Sequence, residues 1–251
     1  MNSYLIVSPV RAGSSWLNTV LETHYNLYNV GETLCKISSA FVADDIEVKT
    51  DDKNKYYFHH ASQQYKQNMV NMWSEDIRKL SREDQLDFIK SKGPCVAKFT
   101  PWDLYPDIER GPGYGYGYKL DELKEKWEPL TTIFLYRKNT VEHFLSFLAY
   151  HRTGIGNATS QFMQYQRPKE PFDKDWIEYY ANHFWIMNKC YEDHKFDYTI
   201  AYEDLFQMDE LCGVPLKQYH GQFTFKLNSY SEEEKKEVTR RTGYTENYEL
   251  C

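Results

Sequence analysis

The segment Ser8-Pro9-Val10-Arg11-Ala12-Gly13-Ser14-Ser15-Trp16 constrains this chain more than any other. Before it stands Tyr4-Leu5-Ile6-Val7, a short apolar run that reads as a buried strand. After it, from Ser14 to about Tyr25, Trp16, Leu17, Val20 and Leu21 fall on one helical face. A strand feeding a helix through such a loop aims backbone N–H groups and the positive helix end at one spot, which suits an anion. Gly13 lets a phosphate approach the backbone closely. Ser14 and Ser15 add hydroxyls, and Arg11 adds charge. A Walker A loop needs a Gly-Lys pair that this loop lacks, so an ordinary ATPase or kinase reading is weak. The plain alternative is a strand–helix turn with serine caps.

The same alternation continues. Strands are expected at 27–30, closed by Gly31, and then at 95–99, 131–136 and 198–202. Helices are expected at 74–92 with Gly93 as stop, at 119–127, 140–150 and 174–194, and after Ser231. Ser231 with Glu234 forms a capping box, and Gly243 closes that last helix. On the long helix, Trp176, Ile177, Tyr180, Phe184, Met187 and Tyr191 lie near one stripe. Short apolar strands alternating with helices predict an α/β fold in three layers, a central parallel sheet flanked by helices. Ligands in such folds bind at the carboxyl ends of the strands.

Composition narrows the function. The 251 residues suffice for one large domain, and no linker or repeat divides them. A net charge of −7 offers no basic face for nucleic acid, although a small anion can still bind a locally basic pocket. No run approaches membrane-spanning length, and no basic stretch precedes a long apolar one at the start. The cysteines Cys35, Cys95, Cys190, Cys212 and Cys251 are scattered without metal-ligand spacing. The expectation is a cytoplasmic protein with reduced thiols and no bound metal.

A second candidate anion site spans Phe134 to Ser146. Arg137 stands at the end of one expected strand, and Ser146 lies two turns into the following helix. Both reach one anion if that helix folds back beside the strand. Lys138 is the alternative cation, though a guanidinium suits bidentate phosphate binding better.

Together these pieces resemble the sulfotransferases that use 3′-phosphoadenosine-5′-phosphosulfate (PAPS). The resemblance spans roughly residues 4–205 and lies nearer to bacterial-type members than to cytosolic animal ones. It implies a P-loop-like fold in a single domain, 1–251, with insertions around 36–90 and 105–128. It places Arg11, Ala12, Gly13, Ser14 and Ser15 around the 5′-phosphosulfate, and Trp16 where the adenine stacks. It assigns the 3′-phosphate to Arg137 and Ser146, whose spacing is one residue longer than is common in the family. Tyr202, in Tyr202-Glu203-Asp204-Leu205, matches a tyrosine near the adenine, with the acidic pair organising its loop. Lys98 matches the strand lysine of the family, while Thr100 stands where cytosolic members carry their catalytic histidine. Gly31-Glu32 matches bacterial members in which the glutamate is the base, so Glu32 is nominated, with His24 and the His59-His60 pair as alternatives. Arg240-Arg241-Thr242-Gly243 is loosely similar to a basic segment touching the 3′-phosphate, with a helix-dipole explanation beside it.

The implied activity is sulfuryl transfer from PAPS, leaving 3′-phosphoadenosine-5′-phosphate (PAP). The acceptor is a hydroxyl or amine of a small molecule, glycan or peptide, and the sequence does not choose among them. Two other readings stay open: a P-loop-like nucleotide kinase or NTPase, and a catalytically inactive nucleotide-binding protein of the same fold.

Overall fold

The computed structural model describes residues 1–31, 34, 80–105, 117–153, 174–220 and 231–250. Its centre is a five-stranded parallel sheet. The strands are β1 (Ser3–Val7), β2 (Tyr28–Gly31), β3 (Cys95–Phe99), β4 (Leu130–Tyr136) and β5 (Tyr198–Ala201), in the order β2-β3-β1-β4-β5. Crossover helices must connect strands that all run the same way. These are α1 (Ser14–Tyr25), α2 (Arg82–Ser91), α3 (Leu120–Lys126), α4 (Thr140–Thr153) and α5 (Lys174–Asp193). The short α6 (Tyr202–Leu205) follows β5, and α7 (Glu232–Thr242) closes the described chain.

Alternation along the strands builds two cores, one on each sheet face. Tyr4, Ile6, Val96, Ile133, Leu135 and Ile200 meet Trp16, Leu17, Val20 and Leu21 of α1. Leu5, Val7, Ala97, Phe99, Phe134 and Tyr136 face the other way, toward Leu86 and Ile89 of α2, Leu123 of α3, and Met187 and Cys190 of α5. Helices therefore cover both faces, the expected three layers. A third cluster joins α4, α5 and α7 through Phe144, Phe147, Tyr180 and Val238. α2 and α3, which fall largely within the stretches expected as insertions, pack on the main core through Leu86, Ile89, Leu120 and Leu123.

The ends of the helices follow local chemistry. Asn26 takes the left-handed conformation at φ 52° and returns its N–H to the Glu22 carbonyl, ending α1. The expected capping box forms at Ser231 and Glu234, and Gly243 ends α7. One boundary differs from expectation. Of the helix predicted over 74–92, the part described starts at Arg82: Ser81 is extended and accepts a bond from the Asp84 N–H at 3.2 Å, capping α2. Residues 74–79 lie outside the described residues. The two-stranded ribbon β6 (Glu210–Leu211) and β7 (Val214–Pro215) was not expected from sequence. Its turn places Cys212 and Gly213 at φ 54° and 82°, the backbone of a tight hairpin without the usual Asn-Gly signal.

The sheet register decides where the site stands. Val7 pairs with Phe99 on one side and Phe134 on the other, and Tyr136 pairs with Ala201. The carboxyl ends of β1, β3, β4 and β5 thus open at one edge. The chain also steps from β3 across β1 to β4, so strand order reverses at β1. That is the position at which open α/β sheets bind ligands.

Candidate active site

The loop after β1 is held in two left-handed residues. Arg11 has φ 70° and Gly13 has φ 85°. Glycine adopts this conformation freely, whereas an arginine there costs about 1–2 kcal/mol. Such strain persists only where the surroundings impose it. Gly13 has a second requirement. A Cβ at this position would stand 2.3 Å from Cδ2 and Cε2 of Tyr202. The Tyr202 ring thus lies directly against the loop, and the Arg137 guanidinium lies over that ring at 5.0 Å from its centroid. Gly13, Tyr202 and Arg137 form one column.

Gly13 is the N-cap of α1 and supplies no side-chain cap. The N–H groups of Ser14 and Ser15 have no acceptor within the helix and face the loop end. Neither serine plays the capping role; instead the Ser15 hydroxyl accepts a bond from Lys98 Nζ at 2.8 Å. This contact follows from strand alternation. Val96 and Lys98 point to the α1 face of the sheet, and Lys98 is the residue level with the start of that helix.

The two segments expected to bind anions meet. Arg11 Nε donates to Ser146 Oγ at 3.3 Å, across 135 residues. Ser146 thus touches the arginine of the first loop, and Arg137, expected beside Ser146, is drawn to carboxylates. Its nearest are Glu203 and Glu142, both at 3.5 Å, with its side chain 13% exposed. Lys138 turns away to Asp204, with Nζ at 2.7 and 2.8 Å from the carboxylate oxygens. Glu203 also accepts the backbone N–H groups of Lys138 and Asn139, at 2.9 and 3.2 Å. The acidic pair therefore braces the junction of β4 and α4.

His143, which motif reading passed over, stands beside the candidate site. It is buried on α4, three residues before Ser146, and the two share a helix face. Its Nε2 lies 2.7 Å from the Val10 carbonyl, and its Nδ1 lies 2.9 Å from the Tyr180 hydroxyl. A carbonyl only accepts, so Nε2 carries the proton and donates, while Nδ1 accepts from Tyr180. Burial and then the Arg137 charge push the imidazole down to about 3, with Arg11 acting in the same direction and the Val10 bond opposing. Burial likewise raises the Tyr180 phenol and keeps it a donor. The one available signal was the i, i+3 spacing of His143 and Ser146. A narrow cleft beside the loop is lined by Pro9, Val10, Tyr180 and Met187 together with His143 and His183.

The remaining expected residues sort clearly. Ala12, within the loop, is fully buried. Trp16 is also buried, with its ring 5.6 Å from Phe206 and 6.1 Å from His220, and its Nε1 has no hydrogen-bond partner among the described residues. Tyr202 contacts Phe206 edge-on at 5.1 Å. Thr100 donates its hydroxyl to Asp103 at 2.7 Å and forms a capping box there, so this hydroxyl is a structural cap. His24 sits ten residues along α1 from Ser14, roughly 15 Å from the loop, and bonds the Tyr219 hydroxyl at 3.1 Å. Arg240 and Arg241 both bind Glu237 of their own helix. Glu32, His59 and His60 lie outside the described residues.

The donor set suits an anion: two cations (Arg11 and Lys98), two hydroxyls (Ser15 and Ser146) and a helix N-terminus converge at one sheet edge. No protein-family model matches the chain, and no curated protein matches it. Among solved structures, a sulfotransferase domain from the curacin biosynthetic pathway matches at 12% identity, covering 97% of this chain and 98% of that chain, with a TM-score of 0.44.

Proposed function

We propose that this chain transfers the sulfuryl group of PAPS to a hydroxyl or amine acceptor, releasing PAP. One observation supports the reading most: the bond from Arg11 to Ser146 brings the two candidate anion-binding segments together. A nucleotide bearing phosphates on both the 3′ and 5′ oxygens of one ribose needs two such sites side by side. The missing Gly-Lys pair argues in the same direction, against a kinase or NTPase.

Bound PAPS supplies an activated sulfuryl group whose leaving group is a phosphate. In this reading Arg11, Ser14, Ser15 and Lys98 hold the 5′-phosphate and stabilise the negative charge that grows there as the sulfur–oxygen bond breaks. Donors already in position need no rearrangement at that moment, which lowers the barrier. Ser146 and Arg137 hold the 3′-phosphate, and Tyr202 and Trp16 border the adenine. The acceptor attacks sulfur in line, and its proton passes to Glu32. Thr100 takes no part, because its hydroxyl serves Asp103.

Calorimetry with PAP and with ATP–magnesium tests the nucleotide. PAP is expected to bind the more tightly, and a preference for ATP–magnesium with phosphate release would return the kinase reading. Incubation with sulfur-labelled PAPS and a panel of phenols, sugars, amines and tyrosine peptides tests transfer. Nucleotide binding with no labelled product from any acceptor would leave a binding protein of the same fold.

A further inference from the structure

We infer that His143 is a positioning residue, clamping the Val10–Arg11 peptide from α4 and so deciding where the Arg11 guanidinium stands. This rests on the reading that the Pro9–Gly13 loop binds the phosphates of the nucleotide.

The geometry is specific. The Val10 carbonyl and the Arg11 N–H belong to one rigid peptide plane. The φ of Arg11 is the rotation of its Cα against that plane, and it stands at 70°, where a non-glycine residue is strained. The bond from His143 Nε2 to the Val10 oxygen at 2.7 Å holds the plane. One helical turn later, Ser146 takes the other end of the same residue, accepting from Arg11 Nε at 3.3 Å. Helix α4 thus grips Arg11 twice, by its backbone and by its guanidinium. Without the first grip the loop relaxes toward an ordinary backbone, and the guanidinium swings from the site.

Tyr180 completes the device. A neutral imidazole donates from only one nitrogen. The Tyr180 hydroxyl, 2.9 Å from Nδ1, makes that nitrogen the acceptor and leaves the proton on Nε2, toward Val10. The ring is shut from water, and its neighbours Arg137 and Arg11 disfavour a second proton. His143 therefore works as a fixed neutral donor and does not serve as an acid or base.

The test compares PAP affinity by calorimetry in wild type, His143→Leu, His143→Gln and Tyr180→Phe, each also placed in an Arg11→Ala background. His143→Leu is expected to weaken PAP binding about tenfold, the scale of one lost buried hydrogen bond. His143→Gln, whose amide N–H reaches the Val10 carbonyl, is expected to recover most of the loss. Tyr180→Phe is expected to weaken binding severalfold. In the Arg11→Ala background all three effects are expected to vanish, because His143 acts through Arg11. A purely structural role would lower the melting temperature and leave these couplings at zero. Folded His143→Leu or Tyr180→Phe protein with wild-type affinity overturns the inference, as does a loss of equal size with and without Arg11. Should His143→Leu not fold, the Tyr180→Phe and Gln variants still decide. Wild-type protein that binds no PAP removes the nucleotide reading, and this inference with it. Wild-type binding with unaffected variants removes the inference alone.

Discussion

Lys98 Nζ donates to Ser15 Oγ at 2.8 Å, tying the carboxyl end of β3 to the opening of α1. The ammonium is held beside the N–H groups that begin the helix, and both present positive charge to the same point. Replacing Lys98 with Ala removes a charge-assisted donor, worth about 1.5–3 kcal/mol. PAP affinity should fall at least about tenfold by calorimetry, with the unfolding midpoint nearly constant. Unchanged affinity would exclude Lys98 from the phosphate site.

Arg137 and Lys138 separate by their partners. Lys138 is bound to Asp204 at 2.7 Å, while Arg137 lies over Tyr202 beside the loop with Glu203 and Glu142 farther off at 3.5 Å. Arg137→Ala should weaken PAP about tenfold or more, yet leave adenosine 5′-monophosphate, which lacks the 3′-phosphate, almost untouched. Lys138→Ala should spare both ligands. The reverse pattern would move the 3′-phosphate contact to Lys138.

Gly13 is constrained twice, by its left-handed backbone and by the Tyr202 ring. Gly13→Ala should destabilise the fold by about 1–2 kcal/mol from the backbone alone, and further through the clash. Adding Tyr202→Ala should relieve the second part only. Urea unfolding of the single and double variants measures both, and strictly additive effects would contradict the contact.

The buried His143 predicts an acid sensitivity. Its value falls from 6.5 in the unfolded chain to about 3 in the fold, chiefly through burial. The unfolded state therefore binds the extra proton between these limits. The contribution to stability is complete above 6.5 and is lost as the pH falls toward 3. Between pH 7 and pH 5 this one group should remove roughly 2 kcal/mol. Urea unfolding at both values should show that loss in the wild type and a smaller one in His143→Gln. Equal losses would place the imidazole in water.

Glu32→Gln should lower sulfuryl transfer by about 10²-fold or more, the range for a general base, with PAP affinity retained. Full turnover in that variant would assign the proton to another group.

Much of this protein is written in local pattern. The strand from Ser3, the helix opening at Ser14, the strand from Cys95 to Phe99 and the box at Ser231 each depend on residues within a few positions of one another. Apolar period, capping side chains and glycine punctuation act at that range, so the three-layer α/β order was legible before any coordinates. The cap at Ser81 is equally local, carried by a serine three residues before an aspartate.

The pairings within the site were decided elsewhere. Sequence set Ser146 with Arg137, nine positions away, and the fold adds a bond to Arg11, 135 positions away. It left Thr100 a plain substitution, and the fold turned that hydroxyl onto Asp103. It passed over His143, which becomes meaningful only when Val10 lies against it. The physical reason is the strand order. With β1 set between β3 and β4, the loop after Val7 is enclosed by segments from far along the chain. Contacts across a sheet edge depend on that arrangement, and no pattern within a short window encodes it.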